Sequence, residues 1–96
     1  MKFSKKWFEE NGFTPCSYQK NAWILRFNVY SRGDNMRLDA EIFIGASMKI
    51  NVYDGYSGRA KYAPWYAGDD TQITRVIKKK IDKKLNALGI TSMDWS

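Results

Sequence analysis

Two clusters of side chains in this sequence have the types and spacing to bind something. The first is Arg59-Ala60-Lys61-Tyr62-Ala63-Pro64-Trp65-Tyr66, which follows Tyr53 and Tyr56. Basic and aromatic residues interleave there in a segment bounded by Pro and Gly. Such side chains stack on bases or anchor protein interfaces, where Trp, Tyr and Arg dominate the energetics. Tyr56, Arg59, Lys61, Tyr62, Trp65 and Tyr66 are therefore candidate partner-binding residues. The competing reading is that Trp65 and Tyr66 fold back to cap the core. The second cluster runs from Arg75 to Lys84, with six basic residues and one acid, Asp82. At about 100° per residue on a helix, Arg75, Lys78, Lys79 and Lys83 share one side. They are candidates for contacting phosphates or an acidic surface. The competing reading is a solvated face, with lysines near the C-terminus favoured by the helix dipole.

Other chemistry is missing its residues. There is no histidine, which removes the Ser-His-Asp triad, the Cys-His pair and His-based zinc sites together. Cys16 is the single cysteine. A thiolate nucleophile needs an activating base or cation, and only Lys20 is close in sequence. Neither a Walker A loop nor Gly-x-Gly-x-x-Gly occurs. Asp39 and Glu41 alternate onto one face of a strand, as a divalent-metal site would need. Hard cations gather more oxygen ligands than this, so an ion-pair network with Lys49 and Arg26 fits better. Arg32-Gly33-Asp34 reads as turn chemistry. No catalytic residue, metal, cofactor or small-molecule substrate is expected.

The elements that must position the two clusters follow from periodicity. Ser4 caps a short helix from Lys5 to about Asn11, with Phe3 and Phe8 as a hydrophobic staple and Gly12 as a stop. A loop carrying Pro15 covers Phe13 to Asn21. Trp23, Leu25, Phe27 and Val29 then alternate with Ile24, Arg26, Asn28 and Tyr30. After a turn at Ser31–Asn35, Met36, Leu38, Ala40, Ile42 and Ile44 alternate with Arg37, Asp39, Glu41 and Phe43. Gly45-Ala46-Ser47 turns the chain into a third strand, Met48, Ile50 and Val52 against Lys49, Asn51 and Tyr53. Opposed residues of an antiparallel pair share a face. Parity therefore pairs Ile44 with Met48, Ile42 with Ile50, Ala40 with Val52 and Glu41 with Asn51. Arg59 to Tyr62 is a candidate fourth strand. The last helix carries Ile73, Ile77, Ile81, Leu85 and Leu88 as an apolar stripe, with Asp69 and Asp70 as caps and Gly89 as stop. Lys80 and Lys84 fall within or beside that stripe, so they must snorkel at its edge, or else the helix end protrudes beyond the sheet.

The fold class is α+β, in the order α-β-β-β-α. Both helices are expected on the apolar face of a three-stranded antiparallel meander, with the fourth strand as an addition. The 96 residues fit one domain of roughly 50–200 residues. A hydrophobic content of 44% is enough for a core. One cysteine points to a reducing cytoplasm. No apolar run follows the first lysines as in a signal peptide, and no segment reaches the roughly 20 apolar residues of a membrane span. A net charge of +6 favours anionic partners and also aids solubility.

The order α-β-β-β-α with Lys78-Lys79-Lys80 on the last helix is similar to the double-stranded RNA-binding domain. The likeness stops at element order. The lysines come about two turns into the helix, the first hairpin lacks that family's Gly-Pro-x-His character, and no site residue carries over. In its size, single cysteine and aromatic-basic segment the chain also resembles small accessory proteins of phages and mobile elements, including anti-CRISPR inhibitors. That resemblance implies a non-enzymatic, stoichiometric inhibitor or adaptor in the cytoplasm of a bacterial host. It would act on a protein or nucleoprotein complex with an acidic surface. Direct nucleic-acid binding through the basic helix is the alternative.

Overall fold

Strand alternation and one amphipathic helix build most of the molecule. The structure is a computed structural model, and it describes residues 3–62 and 72–90. Its elements are α1 (Lys5–Glu10), β1 (Thr14–Pro15), β2 (Trp23–Arg32), β3 (Met36–Ile44), β4 (Met48–Asp54), β5 (Ala60–Tyr62) and α2 (Gln72–Leu88). The strands form one antiparallel sheet in the order β1-β2-β3-β4-β5. The α+β arrangement with a short first helix and a long last one is as expected. Two edges differ from expectation. Thr14 and Pro15, read as loop, pair with Ile24 and Trp23. Proline is tolerated there because an edge strand leaves one row of donors unpaired. The added strand after β4 forms over Ala60–Tyr62, one residue shorter than read.

The β3–β4 register matches the parity argument at Ile44↔Met48, Ile42↔Ile50, Ala40↔Val52 and Glu41↔Asn51. The β2–β3 pairing runs in step from Trp23↔Ile44 to Asn28↔Asp39 and then slips, so that Tyr30 lies opposite Leu38. A bulge at Val29 takes up the extra residue and reverses parity beyond it. Tyr30 therefore leaves the polar set to which strict alternation assigned it and packs on the core. β2 also continues through Ser31 and Arg32, which shortens the expected turn.

The apolar face of the sheet is closed by helices. Leu38, Ala40, Ile42, Ile50 and Val52 are essentially inaccessible, as are Ile77 and Ile81 of α2. Ile73 and Leu88 complete the stripe as half-buried contacts. At the other end of the core, Phe8 stacks on Trp23 with ring centroids 4.9 Å apart. Trp7 and Phe13 complete that aromatic cluster.

Both helices stop by the same device. In α1, Gly12 (φ +82°) donates to the Glu9 carbonyl and Phe13 to that of Phe8. In α2, Gly89 (φ +74°) donates to Asn86 and Ile90 to Leu85. Each is a Schellman closure, with an apolar residue after the glycine folded onto the last turn. Ser4 accepts from the Trp7 amide at 3.1 Å, which caps α1 as expected. Residues 63–71, with the expected caps Asp69 and Asp70, lie outside the described residues.

If α2 closes the core in this way, Ile81→Ala should cost about 2–5 kcal/mol, because a fully buried Ile leaves a cavity. Lys79→Ala, on the exposed side, should stay within about 0.5 kcal/mol of the parent. Urea unfolding of both variants measures the contrast.

Candidate functional site

α2 turns its charge outward because the stripe fixes its rotation. With Ile77, Ile81 and Leu85 buried, Arg75, Lys78, Lys79 and Lys83 are all exposed. From Arg75 to Lys83 the helix advances about 12 Å. Lys80, placed within or beside the stripe by sequence, is exposed as well. Lys84 is half-buried, and its ammonium lies 5.7 Å from the Phe27 ring centroid. Its alkyl stem covers sheet surface while the charge meets an aromatic face, which is the snorkelling arrangement expected.

The aromatic-basic segment is placed only in part. Tyr56 is 62% exposed, and Arg59 is exposed in the β4–β5 turn. That turn is organised by Asp54, whose Oδ1 accepts from the Tyr56 and Ser57 amides at 2.8 and 3.1 Å. Lys61 and Tyr62 lie on β5, where the register sets Tyr62 opposite Val52. Trp65 and Tyr66 lie outside the described residues. The turn occupies the sheet end that also carries the β2–β3 turn. The start of α2 is there too, where Tyr30, Arg32, Gln72, Ile73 and Val76 line a cavity of about 520 Å³.

A third cluster occupies the sheet face opposite the helices. Glu41, at the centre of β3, is only 2% exposed. One carboxylate oxygen accepts from Arg26 Nε at 2.7 Å, while the Arg26 side chain remains 63% exposed. The Arg26 guanidinium lies over the Tyr53 ring, 5.7 Å from its centroid. The Glu41 hydrogen bond, ahead of other causes, raises the Arg26 pKa above its ordinary value. Arg37 Nε binds Asp39 at 3.1 Å. Tyr18 lies in the loop after β1; desolvation, then the neighbouring Cys16 side chain, then the Glu41 charge raise its phenol pKa.

Alternation that sets Asp39 and Glu41 on one face, with Arg26 across from them, already points to this network. Lys49 does not join it. Opposite Phe43 on an adjacent strand, it is exposed and forms no ion pair among the described residues. Glu41 is also far more buried than a solvated network implies, because Arg26 and the neighbouring strands enclose it. Among the described residues, no three of His, Cys, Asp and Glu gather as a metal-binding group, and no helix is long and apolar enough to cross a membrane.

Comparison with protein-family models, curated proteins and solved structures finds no match to this chain.

Removing Arg26 orphans a buried carboxylate. Arg26→Ala should destabilise by about 1–3 kcal/mol, the usual cost of an unsatisfied buried acceptor. Arg26→Ala combined with Glu41→Met should cost less than Arg26→Ala alone, since no charge is then left buried. Equal costs in thermal or urea unfolding would mean that Glu41 is solvated independently of Arg26.

Proposed function

We propose that this chain is a small non-enzymatic binding protein, a stoichiometric inhibitor or adaptor. It docks the outward face of α2 on an acidic surface of a protein or nucleoprotein complex. The observation that carries this reading is the joint exposure of Arg75, Lys78, Lys79 and Lys83 along one face of a helix whose opposite face is sealed in the core. A surface of one sign steers encounter with an oppositely charged partner and selects against basic ones. Exposed Tyr56 offers an aromatic anchor at the sheet end where α2 begins. The phage-type, anti-defence reading is consistent with such a surface on a chain lacking histidine, and places its target in a bacterial cytoplasm.

Direct nucleic-acid binding is the second reading, favoured by one feature. Val76 is the sole large apolar side chain exposed on α2 among the described residues. Protein interfaces normally centre on apolar anchors, whereas phosphate contacts need only charge.

Fluorescence anisotropy against duplex DNA, single-stranded DNA and duplex RNA separates the two. Four phosphate contacts should lose on the order of a hundredfold in affinity between about 50 and 200 mM salt. Binding with that slope, abolished by Lys78→Glu/Lys79→Glu/Lys83→Glu, makes nucleic acid the partner. Absence of binding at the lower salt leaves an acidic protein surface. A complex that survives both the triple reversal and Tyr56→Ala in a folded protein contradicts the assignment of these residues.

A further inference from the structure

The geometry points to a second binding site, for an oxyanion group, at Arg26 on the open face of the sheet. It lies across the sheet from the basic face of α2 and stands independently of the function proposed for that helix. Three observations converge on it. Arg26 is fixed at Nε by Glu41 and lies over Tyr53. Among the described residues its two terminal nitrogens donate no hydrogen bond. Arg26, Asp39, Tyr53, Asp54, Gly55 and Gly58 border a depression of about 70 Å³, room for a group of a few heavy atoms.

The energetics say why such an arrangement is not simply structural. Burying a carboxylate costs several kcal/mol before pairing, and an apolar residue of similar volume generally serves stability as well or better. What Glu41 does provide is orientation. An arginine held at Nε beside a ring has already lost part of its rotamer freedom, so a ligand need supply less of that ordering. Its Nη edge then offers the parallel donors that match two oxygens of a carboxylate or phosphate. The two carboxylates nearest the depression are already engaged, Asp39 by Arg37 and Asp54 by the turn amides. Across β2 to β4 this face carries Arg26, Arg37 and Lys49 against Asp39 and Glu41, with Asp54 at the border of the depression, so cations and carboxylates balance.

The test follows the Arg26 Nε–H correlation by NMR while the protein is titrated with inorganic phosphate and, separately, with acetate. Sodium chloride of matched ionic strength is the reference. The site is supported by a saturable shift of Arg26 Nε–H and of the Tyr53 ring with either probe. Saturation by phosphate alone identifies a phosphoryl group, and by acetate alone a carboxylate. Arg26→Lys keeps the charge beside Glu41 but loses the fork. It should weaken binding about tenfold, read from the Tyr53 ring signals. Reversing Lys78, Lys79 and Lys83 should leave both shifts in place. Shifts that rise linearly and equal those in sodium chloride, or that persist unchanged in Arg26→Lys, overturn the site.

Discussion

β3 lies between β2 and β4, and the burial of its Leu38, Ala40, Ile42 and Ile44 beneath the helices governs the rest of the molecule. A two-residue period leaves no freedom once one face is committed. Arg37, Asp39, Glu41 and Phe43 must then point the other way, and Glu41 meets Arg26 and Asn51 on the flanking strands. The same burial sets the rotation of α2. Once Ile77, Ile81 and Leu85 enter the core, Lys78, Lys79 and Lys83 face solvent, while Lys84 lies along the sheet beside Phe27.

The elements with strong periodicity were legible from residue types. The β3–β4 register followed from matching apolar sets across Gly45-Ala46-Ser47. The stop of α2 followed from Gly89, and the snorkelling of Lys84 from its place beside the stripe. The β2 bulge was not legible because Val29 and Tyr30 are both compatible with the core, so alternation could continue through either. β1 was missed because two residues, one of them proline, carry no period. The depth of Glu41 was hidden for another reason. An acid in an alternating strand looks solvated until cross-strand neighbours close over it, and Arg26 does so while staying largely exposed itself. For the candidate site, the basic face of α2 was readable in full. The aromatic-basic segment was a matter of composition, and the described structure places Tyr56, Arg59, Lys61 and Tyr62 of it.

The molecule thus presents charge in two different ways. On α2 the cations are set along a helix with Asp82 as the lone acid, a surface suited to long-range attraction and to many geometries of contact. On the open sheet face Arg26 is tied to Glu41 and Arg37 to Asp39, and Arg26 is held at Nε. The first arrangement favours rate of encounter and the second favours selectivity.

The most direct measurement of the account is solvent relaxation of assigned NMR signals by a soluble paramagnetic chelate, since all of it depends on which face of the sheet α2 covers. Methyl groups of Ile42, Ile50, Ile77 and Ile81 should be protected, while the Lys78, Lys79 and Lys83 side chains and the Arg26 guanidinium relax strongly. Strong relaxation of the Ile77 and Ile81 methyls, with protection of Arg26 and Tyr53, would place the helix on the other face and contradict both proposed binding surfaces.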